Sequence, residues 1–298
     1  MPELPEVETV ANGVHIRVHH QTIERVWTSN KPQTFKTPPA LLAETLTGSR
    51  IERVYRVGKT IVFDLTHPGD NLALSARTGN TSAQFLVHLG MTGRLLVSPP
   101  ETPLPPHTHA VLTLSGGSRK NLQELRFVDA RRFGRLSVLT LEAPNPAAPR
   151  NPAQTPYTGP GQEPLTITPE DFIALFRGRR TPIKAALLNQ SLLHGVGNIY
   201  ADESLFRAGI RPRRHAGRLT RAELLRLRQA LLDVLTHAIQ LGGSSVSDYV
   251  DADGVRGFFQ LEHRVYLRTG QPCLVCATPI QRILLAGRGT HFCPTCQH

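Results

Sequence analysis

All four cysteines of this 298-residue chain lie in its last 26 residues, as Cys273-x2-Cys276 and Cys293-x2-Cys296 with sixteen residues between the pairs. Two pairs at this spacing can set four thiolates tetrahedrally around one Zn²⁺. Such a site is closed, so the zinc expected here is structural and does no chemistry. It holds together a module too small to fold on an apolar core of its own. Nothing upstream can form a disulfide. The residues between the pairs can form a hairpin that presents Arg282, Arg288 and His291.

The remainder is long enough for two cores. Val7, Val10 and Val14 keep helical spacing behind Pro5, with Glu3, Glu6 and Glu8 at the positive helix end. Short strands are expected at 50–57, 60–65, 83–88, 94–97, 110–114, 124–128 and 136–141, with Gly58-Lys59 as a hairpin turn. Many short strands with turn residues between them predict a sandwich or barrel. Seven prolines between Pro144 and Pro164 leave little room for helix or strand and mark a linker. Beyond it the pattern is helical. Thr168-Pro169-Glu170-Asp171 reads as a helix start, with further helices at 184–193, from Asn198, and at 220–241. Residues 245–260, with Gly254 and Gly257, are expected to form a mobile loop. The fold class is therefore α+β in two domains. The expected spans are a β-rich domain over 1–141, a linker over 142–166, a helical domain over 167–262, and the zinc finger over 263–298.

The formal net charge is +11 and the pI about 10.2. Such a balance calls for a polyanionic partner, nucleic acid first. Lys31, Lys36, Lys59, Lys120 and Lys184 are the only lysines, so the charge is carried mainly by arginine, which suits bidentate phosphate contacts. No apolar run approaches the roughly 20 residues that span a bilayer. The start, Met1-Pro2-Glu3-Leu4-Pro5-Glu6, is acidic and proline-punctuated, unlike a secretory signal, so a cytoplasmic protein associated with the nucleoid is expected.

Removal of Met1 would leave Pro2 with a free secondary amine. A terminal amine titrates about two to three units below lysine, so it is a better nucleophile near neutrality. It can attack a sugar C1′ and form an iminium without a cofactor. Glu3 beside it, and Glu6 one helical turn on, can move the protons that such a reaction needs. The same residues also fit a plain helix start, in which the glutamates only complement the helix dipole.

Several segments resemble the formamidopyrimidine-DNA glycosylase family. They are Met1 through Thr9, His88-Leu89-Gly90-Met91-Thr92-Gly93, Asp129-Ala130-Arg131-Arg132-Phe133-Gly134, Gly195-Val196-Gly197-Asn198-Ile199-Tyr200-Ala201, and the cysteine module with Gly287-Arg288-Gly289. They fall in family order over nearly the whole chain. The resemblance implies an N-terminal β-sandwich with flanking helices, a helix–two-turn–helix domain with a four-cysteine zinc finger, and DNA in the cleft between. It implies a monomer that removes oxidised purines (8-oxoguanine, formamidopyrimidines) from double-stranded DNA and then cuts the backbone at the abasic site by β- and δ-elimination. Pro2 is then the Schiff-base nucleophile, Glu3 the assisting acid, Glu6 its support, and Lys59 a proton donor in β-elimination. Arg288 is a DNA contact near the lesion with a role in δ-elimination. A guanidinium stays protonated in proteins, so that role is better read as charge stabilisation.

Met91, Arg131 and Phe133 resemble the residues that fill the void left by a flipped nucleotide. Without the family, Met91 and Phe133 read as core packing. His107 matches a DNA-contact stretch better than His109, and His88 reads equally as structural. Gly195-Val196-Gly197-Asn198 offers amides at a helix start as a phosphate seat, with Asn198 as cap or phosphate donor. Arg179, Arg180 and Lys184 are expected on phosphates, or else as a solvated basic face. Ala130 departs from the family's proline, and the linker is longer than usual. Two rivals remain. An endonuclease VIII-like enzyme for oxidised pyrimidines is disfavoured by Leu4 through Thr9 and by the Met91, Arg131, Phe133 set. A non-catalytic zinc DNA-binding protein would leave the Pro2-Glu3 terminus without a purpose.

Overall fold

Val7, Val10, Ala11, Val14 and Val18 all lie buried along one face of the first helix, α1 (Leu4–Val18). Each of these valines contributes about 1.5–3 kcal/mol on leaving water. The computed structural model describes residues 1–67, 82–116, 122–141, 155–245 and 249–298. They group into two units. The first holds Met1–Pro2, Glu6–Thr158 and Ser245–Gly257; the second holds Glu3–Pro5, Gly159–Ser244 and Phe258–His298.

In the first unit, eight strands form an antiparallel sheet. They are β1 (Gln21–Thr28), β2 (Arg50–Val57), β3 (Thr60–Thr66), β4 (Ala83–His88), β5 (Arg94–Ser98), β6 (Thr108–Gly116), β7 (Gln123–Val128) and β8 (Arg135–Thr140). Their order is β5-β7-β6-β1-β2-β3-β4-β8. β1 meets β2 only at Thr22 opposite Arg50, whereas every other pair runs through five or more partners. The sheet thus divides into two four-stranded halves. Both contribute to one core, Ile23, Leu112, Leu125 and Phe127 from one half and Ile51, Phe63, Phe85 and Leu136 from the other, with the α1 valines among them. This is the expected sandwich. A short helix, α2 (Pro39–Leu46), adds Leu42 and Leu46.

The second unit is helical. It contains α3 (Pro169–Phe176), α4 (Ile183–Leu187), α5 (Asn198–Arg207) and α6 (Arg221–Gln240). Thr168 caps α3 through the Asp171 amide, and Thr220 with Glu223 forms a reciprocal capping box on α6. The helices share one core built from Phe172, Phe176, Leu187, Tyr200, Leu227 and Leu231, which also takes in Leu4 and Phe259. The chain ends in a hairpin of β9 (Gln281–Leu285) and β10 (Arg288–Phe292).

Two expectations need correction. The helix expected at 184–193 stops at Leu187, because residues 189–194 turn back and Gln162 bridges Leu193. Of the expected mobile loop, the described residues up to Gly257 are packed on the first unit, and Phe258 to Gln260 belong to the second. The Tyr249 hydroxyl donates to the Glu6 carbonyl, Val97 N–H donates to the Ala252 carbonyl at 3.1 Å, and Asp253 pairs with Arg17. The part up to Gly257 therefore groups with the sandwich and not with the helices, unlike the expected span 167–262. The expected linker holds the boundary between the two units, at Thr158 and Gly159, and its described residues are hydrogen-bonded. Tyr157 N–H donates to the Gln84 side chain at 2.7 Å, and Gln162 N–H to the Leu192 carbonyl at 3.0 Å. Residues 142–154 of it lie outside the described residues. No helix among the described residues is long and apolar enough to cross a membrane.

Candidate active site and nucleic-acid interface

Of the three residues before α1, Met1 is exposed while Pro2 and Glu3 are buried. The Glu3 carboxylate is seated on the start of α5. It accepts from Ile199 N–H at 3.2 Å and approaches Tyr200 N–H at 3.5 Å. Helix starts favour negative charge because their first amides have no partner within the helix. Gly197 makes the seat possible: a Cβ there would stand 2.1 Å from the Glu3 carboxyl carbon. Leu4 N–H donates to the Gly195 carbonyl at 3.0 Å and fixes the approach. The phosphate seat expected at Gly195–Asn198 is therefore taken by a side chain from the far end of the sequence. Asn198 also turns inward, donating its amide to the Gly289 carbonyl at 3.0 Å.

Lys59 sits on the β2–β3 turn. Val57 pairs with Thr60, leaving Gly58 and Lys59 as a two-residue loop with Gly58 at φ 61°, the pattern of a type II′ hairpin. Arg56, which sequence reasoning left without a role, and Glu8, expected only to complement the helix dipole, hold this turn. Arg56 pairs with Glu8 of α1 at 2.6 Å and donates to the Gly58 carbonyl at 3.2 Å. The Lys59 turn is thereby tied to the helix that carries the N-terminus. A charge pair 48 residues apart leaves no periodic signal by which to find it. Nearby, burial and then Lys59, Lys36 and Arg135 push the His88 imidazole down. Neutral His88 accepts from Gly90 N–H at 3.1 Å, a structural use.

Met91, Arg131 and Phe133 come from two loops that touch backbone to backbone. A Cβ at Gly90 would stand 2.5 Å from both the Gly134 nitrogen and the Phe133 carbonyl carbon. The fully buried Asp129 carboxylate organises both loops, accepting from the Thr92 hydroxyl at 2.5 Å, Arg131 N–H at 3.2 Å and Gly134 N–H at 2.7 Å. Met91 is 40% exposed and Phe133 47%, too open for core residues. The Arg131 guanidinium lies 4.8 Å over the Phe133 ring, which restrains its plane. His107 is exposed with φ 66°, whereas His109 is buried between Ser29 and the Asp129 carbonyl.

In the second unit Arg288 stands exposed beside the hairpin turn, where Ala286 and Gly287 both have positive φ, as a type I′ turn demands. Lys184 differs from expectation. It is 1% exposed, and its ammonium pairs with Asp202 at 2.7 Å and donates to the Gly289 carbonyl and the Thr290 hydroxyl. Burial pulls it below the usual lysine range, against Asp202. Asp202 also accepts from His291 N–H at 2.9 Å. The cation expected on phosphate thus braces the Arg288 hairpin from behind. Glu203, equally buried, accepts from the amides of Arg264, Val265 and Tyr266 and anchors the turn that leads into the zinc module. Burial pushes its carboxyl up against those amides. Arg179 and Arg180 are exposed on the α3–α4 loop.

The four cysteine sulphurs lie within 4.8 Å of one another, with Cys273 to Cys296 at 3.9 Å and Cys276 to Cys293 at 3.4 Å. A tetrahedron with Zn–S bonds of about 2.3 Å has edges of about 3.8 Å. The thiols themselves fit a cation. Thr278 draws Cys276 down to about 6, while burial and the neighbouring thiols push Cys293 and Cys296 up. Four sulphurs this close become thiolates together only around a positive ion. The module holds one structural zinc.

Comparison with known proteins agrees over the whole length. Residues 1–136 match the model of the formamidopyrimidine-DNA glycosylase N-terminal domain, 160–250 that of its H2TH domain, and 270–298 that of a zinc finger found in FPG and IleRS. A formamidopyrimidine-DNA glycosylase from Solibacter usitatus is 42% identical, the alignment covering 100% of this chain and 99% of the relative. One from Listeria monocytogenes is 38% identical over 100% of both. The solved Fpg protein from Thermus thermophilus superposes with TM-score 0.79 at 40% identity, covering 99% of this chain and 98% of the other. A Lactococcus lactis Fpg mutant bound to Fapy-dG-containing DNA gives TM-score 0.81 at 30% identity, with both chains fully covered. The chain belongs to the formamidopyrimidine-DNA glycosylase family and is a DNA glycosylase with a structural zinc finger.

Proposed function

We propose that the enzyme excises oxidised purines, 8-oxoguanine and formamidopyrimidines, from double-stranded DNA through a Schiff base on processed Pro2, then cleaves the strand by β- and δ-elimination. It acts as a monomer on the nucleoid, in the cytoplasm. The observation that carries this reading is the seat of Glu3. A carboxylate held by two helix amides, one peptide bond from a secondary amine, is placed to relay a proton. The Pro2 nitrogen attacks C1′ as the bond to the base breaks, and the departing base takes up a proton. Glu3 accepts the proton that the amine then sheds and passes it to the ring oxygen, which opens the sugar to an iminium. Loss of the C2′ proton expels the 3′ phosphate. Lys59, fixed by Arg56 and Glu8, serves base departure and this elimination, with Glu6 in support. Arg288 stabilises phosphate charge in the second elimination. Met91, Phe133 and Arg131 fill the vacated stack, and His107, Arg179 and Arg180 belong to the DNA interface.

Borohydride trapping on a lesion panel tests this. Duplexes bearing 8-oxoguanine or a formamidopyrimidine should yield a covalent adduct at least tenfold faster than those bearing an oxidised pyrimidine. The reverse order would favour an endonuclease VIII-like enzyme, and no adduct on any duplex would favour a non-catalytic binder.

A further inference from the structure

Two loops of the second unit are laced together by their backbones. Gly217 N–H donates to the Arg179 carbonyl at 2.8 Å, Ala216 N–H to Thr181 at 2.9 Å, and Ile183 N–H to Arg214 at 2.7 Å. Pro182 and His215 form an antiparallel bridge. A Cβ at Gly217 would stand 2.7 Å from the Arg179 nitrogen, so the two backbones are in contact. Residues 177–184 and 211–218 therefore make one short ladder.

That ladder carries seven arginines and no acidic residue. Arg214 is neutralised by Glu223 at 2.6 Å, and Arg211 rests over the Phe292 ring. Arg177, Arg213 and Arg218 are exposed, with no ion pair among the described residues. Like charges fixed on one strip repel one another, and a polyanion relieves that repulsion. The strip is also continuous with the zinc module. Lys184 at its end holds the hairpin through Gly289, and Arg211 N–H donates to the His298 carbonyl at 2.9 Å.

We propose that Arg177, Arg213 and Arg218 form a phosphate-binding strip that grips the backbone of undamaged duplex and holds the enzyme on DNA before it meets a lesion. This rests on the reading that duplex DNA is the substrate, but not on the chemistry of Pro2. Contacts of this kind are sequence-independent and release counterions.

The test is binding of the full-length, zinc-loaded protein to a long undamaged duplex over a range of potassium chloride concentrations. The triple variant Arg177→Gln, Arg213→Gln, Arg218→Gln should lower the slope of log K against log salt by about 2–3, near 0.9 for each phosphate no longer neutralised. Affinity near 0.1 M salt should fall about tenfold or more. Single-turnover excision from a saturating short lesion duplex should be unchanged. Each single substitution should lower the slope by about 0.9, which decides the matter if the triple variant loses zinc. An unchanged slope in folded variants overturns the proposal, including the case where only binding to an acidic polypeptide such as polyglutamate is lost. A parent that binds undamaged DNA steeply but forms no borohydride adduct would refute the catalytic reading and leave the strip standing.

Discussion

The Met91–Arg131–Phe133 surface and the Arg288 hairpin are both exposed tips braced from behind by one buried aspartate, and the two braces are built differently. Asp129 accepts from two backbone amides and a threonine hydroxyl. Asp202 faces the buried Lys184 ammonium and the His291 backbone and ring. Neutral donors hold the first carboxylate, so its loss loosens a turn. A buried cation holds the second, so its loss strands a charge. Removing one member of a buried ion pair costs about 3–5 kcal/mol, because the other stays behind unpaired. A hydrogen bond to a charged group contributes about 1.5–3 kcal/mol. The hairpin should therefore be the more brittle of the two tips.

The largest expected effect is at Asp202. Asp202→Ala should destabilise the second unit by about 3–5 kcal/mol, seen as a lower Tm and easier zinc loss to a chelator. Adding Lys184→Met to Asp202→Leu should restore most of that stability, since an apolar pair leaves no charge unpaired. A single-variant cost below about 1 kcal/mol would mean that Lys184 reaches water and that the brace is misread.

Asp129→Asn comes next. Its amide would turn a donor toward an N–H that now donates, costing about 1.5–3 kcal/mol locally. Excision should slow while zinc content and binding to undamaged duplex hold. Equal loss of zinc would erase the distinction between the two braces.

The smallest effect concerns the base opposite the lesion. Arg131 has only donors, which suit the O2 and N3 acceptors of cytosine and meet the amino group of adenine badly. Arg131→Ala should narrow the cytosine-to-adenine ratio in single-turnover excision by about tenfold or somewhat more. Met91→Ala should slow both duplexes alike. An unchanged ratio in Arg131→Ala would place opposite-base reading elsewhere.

The parts legible in the sequence were those with local signals. The cysteine spacing, the Thr168 and Thr220 caps, the alternation of β2 through β8 and the Gly58-Lys59 turn each announce themselves within a few residues. β1 went unread because it does not keep a period of two, with Glu24 and Arg25 both exposed after buried Ile23. The Glu3 seat, the Glu8–Arg56 tie and the inward turn of Lys184 were hidden for another reason. Each joins residues tens to nearly two hundred positions apart, and a charged side chain carries no mark of whether its partner is water, phosphate or a buried aspartate. The apparent phosphate seat at Gly197 and Asn198 shows the hazard. Its residue types were right for an anion, and the anion proved to be the chain's own.

The central claim is that the terminal amine of Pro2 does the chemistry, and trapping with mass-defined protein tests it most directly. Two preparations would be compared on abasic duplex with borohydride, one beginning at Pro2 and one shown by mass spectrometry to retain Met1. The account predicts rapid, near-stoichiometric adduct for the first, mapping to the N-terminal peptide, and adduct formation reduced by at least about a hundredfold for the second. Full trapping by the protein that keeps Met1, or an adduct that maps to Lys59, would contradict it.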